Sequence, residues 1–136
     1  LLERGAEAVK YVIPEIPPSN NRYIGRNQRW EYQQEKKRWA ELIRYLCIPK
    51  PKKPIEKAVV TIRYYFRTKT RRDPDNFSGK MILDGLVRSG IILDDSFDCI
   101  RLQLDCGGYD KENPRTEIYL EEIADESIGN NGKRIV

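Results

Sequence analysis

The sequence predicts a single α/β (α+β) domain, with a mixed sheet built in the order β-α-β-α-β-β. Three observations lead there. The 136 residues suit one domain and are short for two. Segments of helical period alternate with segments of period two. No internal repeat or low-complexity tract competes with that reading, and no apolar run approaches the roughly 20 residues of a membrane span. A chain of this length can bury about 68% of its unfolded surface, so a core needs no disulfide or metal to hold it.

Tyr11-Val12-Ile13 reads as a first strand, stopped by Pro14, Pro17 and Pro18. The stretch from Ile16 to Tyr23 (Ile-Pro-Pro-Ser-Asn-Asn-Arg-Tyr) is rich in turn and polyproline formers and predicts a rigid loop. Asn27 can cap a helix running to about Leu46, with Trp39, Leu42, Ile43 and Leu46 on its inner face. Pro49, Pro51 and Pro54, interleaved with Lys50, Lys52 and Lys53, mark a surface linker. The clearest strand follows: Val60, Ile62, Tyr64 and Phe66 alternate with Thr61, Arg63, Tyr65 and Arg67. Pro74 biases Asp73 toward extended backbone. A helix from about Phe77 to Ser89 is expected next, capped by Asn76 and ended by Gly90, with Met81, Ile82, Leu86 and either Leu83 or Val87 inward. Ile91-Ile92-Leu93 is a short apolar run. Ile100, Leu102, Leu104 and Cys106 alternate as a strand that Gly107-Gly108 should turn, and Thr116 to Ile123 makes the last strand, with Ile118 and Leu120 facing the core. The final two strands are expected to form an antiparallel hairpin. Residues 1–124 read as the domain and 125–136 as a polar, flexible tail.

Histidine is absent, which excludes Ser-His and Cys-His nucleophile pairs and His-based zinc sites. Any general base must be a carboxylate, a Lys, a Tyr or a metal-bound water. Cys47, Cys99 and Cys106 show no C-x-x-C spacing, and a sparse, odd count fits small core fillers in a reducing compartment. The N-terminal Leu1-Leu2-Glu3-Arg4-Gly5 lacks the extended apolar stretch of a secretory leader, so a cytoplasmic location is expected. A net charge of +4 is a weak pointer to a polyanionic partner.

The informative segment runs from Arg71 through Asp73-Pro74-Asp75-Asn76 to Lys80, with Asp84 and then Asp94-Asp95 beyond it. In extended backbone Asp73 and Asp75 point to the same side. Carboxylates that close repel unless a cation sits between them, and Mg²⁺ or Mn²⁺, hard ions preferring oxygen, would suit. If the crossover returns beside the strand, Asp95 can complete a three-carboxylate pocket for metal-assisted phosphoryl transfer, with Asp94 as a neighbouring ligand. Each piece alone is also an ordinary turn or loop sequence. Their combination with the basic strand exit Arg67, Lys69, Arg71 and Arg72 points to a metal site inside a phosphate-binding surface, against simple local charge neutralisation. Lys80, Asp84 and Arg88 form either an exposed salt-bridged row or, in the case of Lys80, a contact to the scissile phosphate. Trp30, Tyr32, Tyr64 and Tyr65 divide between core packing, base stacking and a dimer seam.

The segment Arg72-Asp73-Pro74-Asp75-Asn76, a Lys, then Asp84-Gly85-Leu86, Gly90 and Leu93-Asp94-Asp95 resembles the RusA-type Holliday junction resolvases. Pro17-Pro18-Ser19-Asn20-Asn21-Arg22-Tyr23 resembles a second signature of that family, and the likeness runs from about residue 10 to residue 123. It implies a small mixed-sheet domain acting as a homodimer with Mg²⁺ (or Mn²⁺). The implied activity is paired nicking of four-way DNA junctions, in recombination and repair, in bacteria, phages and prophages. By position, Asp73, Asp75 and Asp95 match the family's essential aspartates and Lys80 its catalytic lysine. Three residues separate Asn76 from the lysine where the family pattern has two. The resemblance leaves Arg22, Arg26, Arg67, Lys69, Arg71 and Arg72 to hold DNA phosphates. The rival readings are a non-catalytic DNA-binding protein of the same fold and a flap or fork nuclease.

Overall fold

The structure, a computed structural model, describes residues 8–123; the tail expected at 125–136 lies outside the described residues. Strand β1 (Val9–Ile13) leads to helix α1 (Arg29–Leu46), strand β2 (Ala58–Phe66), helix α2 (Lys80–Arg88) and strands β3 (Ile100–Tyr109) and β4 (Arg115–Glu122). The order is the β-α-β-α-β-β that periodicity implies, in a mixed α+β domain. Among the described residues no helix is long and apolar enough to cross a membrane.

The sheet order is β1-β4-β2-β3. β2 is central: it pairs parallel with β3 and antiparallel with β4, and its residues alternate buried and half-buried along its whole length. The expected terminal hairpin is therefore wrong. β3 and β4 are consecutive, yet β2 lies between them, because the link from Asp110 to Pro114 crosses the end of β2, where the Asp110 amide donates to the Phe66 carbonyl at 2.7 Å. Gly107-Gly108 does not turn the chain either. β3 continues to Tyr109, and the pairing slips by one residue there, Tyr64 facing Cys106 and Tyr65 facing Gly108. Gly107 is the extra residue of a bulge. A Cβ on it would fall 2.4 Å from the Tyr65 ring, so only glycine lets that ring lie flat on the strand.

Both helices cover one face of the sheet. On α1 the buried side chains are Trp39 and Ile43, followed by Cys47, while Leu42 is half-buried and Leu46 is exposed, contrary to the expected inner face. Residues at i, i+4 and i+8 keep a narrow stripe against the sheet and push Leu46 to its flank. Met81, Ile82, Leu83 and Leu86 of α2 complete the core with Val60, Ile62, Ile118 and Leu120. Asn27 and Asn76 cap neither helix. A 3-10 turn at Arg26–Gln28 leads into α1, and α2 begins at Gly79, whose φ of 80° only glycine adopts without strain. Gly90, at φ 76°, ends α2 as expected.

The other face carries a polar network. The Arg115 guanidinium stacks on Tyr65 at 3.8 Å and donates to Glu117 at 2.8 Å and Asp110 at 2.9 Å. Glu117, only 4% exposed, also accepts from the Tyr119 hydroxyl at 2.6 Å. Burial alone would raise the Glu117 pKa; the Tyr119 and Arg115 hydrogen bonds outweigh it and hold the carboxyl below its usual range. A carboxyl with a depressed folded pKa stabilises the fold fully above its unfolded pKa of about 4.3, and that contribution disappears as pH falls through the folded value. Glu117→Gln should thus lose about 2 kcal/mol of stability at neutral pH. It should also flatten the decline of the urea midpoint between neutral pH and pH about 3. An unchanged acid decline would assign the acid sensitivity to other carboxylates, Glu15 first, which Arg38 grips through both oxygens.

Candidate functional site

The two segments that carry the sequence signal meet in space. Asn20, in a 3-10 turn at Asn20–Tyr23, donates through Nδ2 to the Asp75 carbonyl at 3.0 Å and to Ser78 Oγ at 3.1 Å. The proline-rich loop is held in turn from beneath, where the buried Thr116 hydroxyl donates to the Glu15 carbonyl at 2.7 Å. Residues more than fifty apart in sequence are thereby fixed as one surface, and Asn20 is a clip that no local pattern announces. Tyr23 packs edge-on against Tyr32 at 5.3 Å, a contact that holds this loop against α1.

Asp73 is extended, as Pro74 requires, but Pro74–Phe77 forms a 3-10 turn, so Asp75 does not follow it in strand geometry. The alternation expected to align the two carboxylates is replaced by the turn. Phe77 anchors that turn by packing on Tyr64 and Phe66 at 5.8 and 5.2 Å. Asp73 is half-buried and pairs with Arg71 at 3.1 Å; Asp75 is exposed. Lys80 opens α2 on the exposed side and, among the described residues, makes no ion pair. Asp84 pairs instead with Arg88 at 3.2 Å and with Lys36 of α1 at 4.0 Å, so the expected row is joined only at its far end.

Asp94 and Asp95 lie elsewhere. Ile92 bridges Ile55 in parallel, and the Leu93 amide donates to the Ile55 carbonyl at 2.9 Å, which places this loop at the start of β2. Asp73 lines a cavity with Phe66 and Tyr109, at the strand's far end. Asp95 thus follows a loop at the start of β2, while Asp73 lies toward the end of that strand. Among the described residues no group of three acidic or cysteine side chains is arranged to hold a metal ion. The three-carboxylate pocket expected within one chain is not formed. The crossover does return beside β2, but α2 runs back along the strand first and delivers Asp95 to the opposite end.

The cationic residues divide by role. Arg72 donates to the Thr68 and Thr70 carbonyls at 2.8 and 2.9 Å and lies 4.2 Å over the Phe66 ring. It shapes its own loop rather than reaching outward. Lys69, exposed, sits 5.7 Å over Tyr109, and Arg67 reaches the Lys111 carbonyl at 3.5 Å. Arg22 is exposed beside the clip; the Arg26 side chain lies outside the described residues. Trp30 is exposed, Tyr64 belongs to the core and Tyr65 covers the bulge. The cavity, of about 330 Å³, is lined by the aromatic rings of Tyr64, Phe66, Phe77 and Tyr109, with Lys69 and Arg72 matched there by Asp73 and Asp105. No protein-family model and no curated protein matches this sequence.

Proposed function

We propose that this chain is a structure-selective endodeoxyribonuclease that nicks four-way DNA junctions in pairs, as a homodimer with Mg²⁺ or Mn²⁺. The observation that supports it is the Asn20 clip, which joins the two resembling segments into one surface of carboxylates amid Arg67, Lys69, Arg71 and Arg72. Within a single chain the carboxylates do not fit a three-ligand metal site, so this reading takes Asp73 and Asp75 from one copy and Asp95, with Asp94 beside it, from another. A bound divalent ion would supply water activation and offset charge at the phosphodiester. On this reading Lys80, exposed at the start of α2, meets growing negative charge on the scissile phosphate. Arg22, Arg67 and Lys69 hold neighbouring phosphates, contacts that position DNA without reading its sequence.

The split of the carboxylates favours a second reading should the chain act alone: a DNA-binding protein without catalysis. Purified protein with Mg²⁺ and labelled synthetic substrates separates the two. Cleavage of a four-way junction is expected to exceed that of linear duplex by at least about 100-fold, with nicks in opposed strands. Equal cutting of duplex and junction would remove structure selectivity. Binding without any metal-dependent nicking would leave the second reading, and preference for flaps would replace the junction as substrate.

A further inference from the structure

The cavity beside Asp73 has an aromatic interior that the proposed phosphate chemistry does not use. Tyr64 and Phe66 lie tilted in its wall at 5.8 Å, and Phe77 meets Phe66 edge-on at 5.2 Å. Tyr109, 48% exposed, is the cavity ring most open to solvent. Among the described residues, several buried polar atoms lack a hydrogen bond, and of these the Tyr64 hydroxyl alone belongs to a residue of this cavity. Such an atom is costly to leave unpaired, which favours an occupant with polar edge groups over a purely apolar one.

The charged residues of the lining do not select a charged occupant. Lys69 and Arg72 are balanced by Asp73 and Asp105. Most of them are also engaged: Arg72 with the Thr68 and Thr70 carbonyls, Asp73 with Arg71, and Asp105 with Arg63 at 3.2 Å. A neutral, flat, aromatic group with hydrogen-bonding edges fits such a lining, and a nucleobase is such a group. The volume of about 330 Å³ leaves room for one. A paired base is held inside its duplex, so only a base that has left its partner can enter. Pairs that flank a branch point open more readily than pairs within a continuous duplex, because part of their stacking is already lost.

We infer that this cavity takes up one unpaired nucleobase of the bound DNA, stacked on Tyr109, and that this capture is what favours branched over linear substrates. Stacking holds any base, so the capture selects structure and not sequence. Asp73 lines the cavity and also belongs to the proposed metal-binding carboxylates, so the captured base lies next to the phosphodiester to be cut. That last step rests on the nuclease reading; uptake of the base does not.

Cys106 is exposed and lines the cavity, so its alkylation by iodoacetamide, read by peptide mass spectrometry, reports occupancy in the unaltered protein. The half-buried Cys99 is the internal comparison. Without Mg²⁺ and at saturating DNA, a linear duplex with one unpaired base should slow Cys106 alkylation about 10-fold. A four-way junction should do the same, and a fully paired duplex should not. An abasic residue in place of the unpaired base should restore the rate. Tyr109→Ala should weaken binding of the bulged duplex about 10-fold and leave the salt dependence of binding unchanged, because no phosphate contact is lost. Tyr109→Phe should bind as the wild type does. No protection by any DNA, equal protection by paired duplex, protection that survives the abasic residue, or full affinity in Tyr109→Ala overturns the base site. Any of these beside normal junction cleavage would spare the nuclease reading. Base capture by a protein that never nicks would keep the base site and remove the nuclease.

Discussion

Asp75→Asn is expected to slow junction cleavage about 1,000-fold while leaving the fold and junction binding in place. A metal-held carboxylate is asked for several kcal/mol of transition-state stabilisation, and each 1.36 kcal/mol is tenfold in rate. The fold should not notice the change. The Asp75 side chain is exposed, and it is the Asp75 backbone carbonyl, not the carboxylate, that accepts the Asn20 hydrogen bond. An Asn keeps shape and backbone while removing the charge. Removing a negative group from the proposed phosphate-binding surface should tighten junction binding slightly at low salt. The measurement is a single-turnover cleavage rate beside a gel-shift affinity for the same junction. Cleavage within a few-fold of wild type would show that Asp75 is only a turn residue. Asp73→Asn would be a less clean probe, because it also releases Arg71, an ion pair of an exposed guanidinium.

The parts of the fold legible in the sequence are those decided by neighbours in the chain. Val60 to Phe66 alternates so regularly that β2 could not be missed, and Gly90 closes α2 where its spacing said it would. What escaped was decided by distant partners. Nothing local says that the link from β3 to β4 passes over the end of β2 and sets β4 on its other side, so the expected hairpin failed there. Gly107-Gly108 has the composition of a turn, and only the Tyr65 ring above it shows that the space, not the reversal, requires glycine. The site divides in the same way. Asp73, Asp75 and Lys80 are gathered by a short segment that a reader can see. The Asn20 clip spans 55 residues, and the displacement of Asp95 depends on the direction in which α2 runs.

Gly79→Ala and Gly90→Ala should differ in stability although they impose the same backbone strain. Gly79 has φ 80° and Gly90 φ 76°, so alanine at either is held in the left-handed region, at about 1–2 kcal/mol. The surroundings differ. A Cβ at Gly90 meets nothing within 4 Å, whereas at Gly79 it lies 2.5 Å from Ile62 Cδ1, a fully buried side chain between β2 and α2. That overpacking should add about 1–3 kcal/mol to the Gly79 variant alone. Gly79 also joins the acidic turn to Lys80, so a clash relieved by the backbone rather than by Ile62 displaces one of them. The Gly79 variant should therefore lose cleavage activity beyond what its stability explains, and Gly90→Ala should keep it. Urea unfolding of both proteins, paired with junction cleavage at a temperature where each is folded, reads both effects. Equal destabilisation of the two would mean that Ile62 yields freely and that the start of α2 is not held by packing.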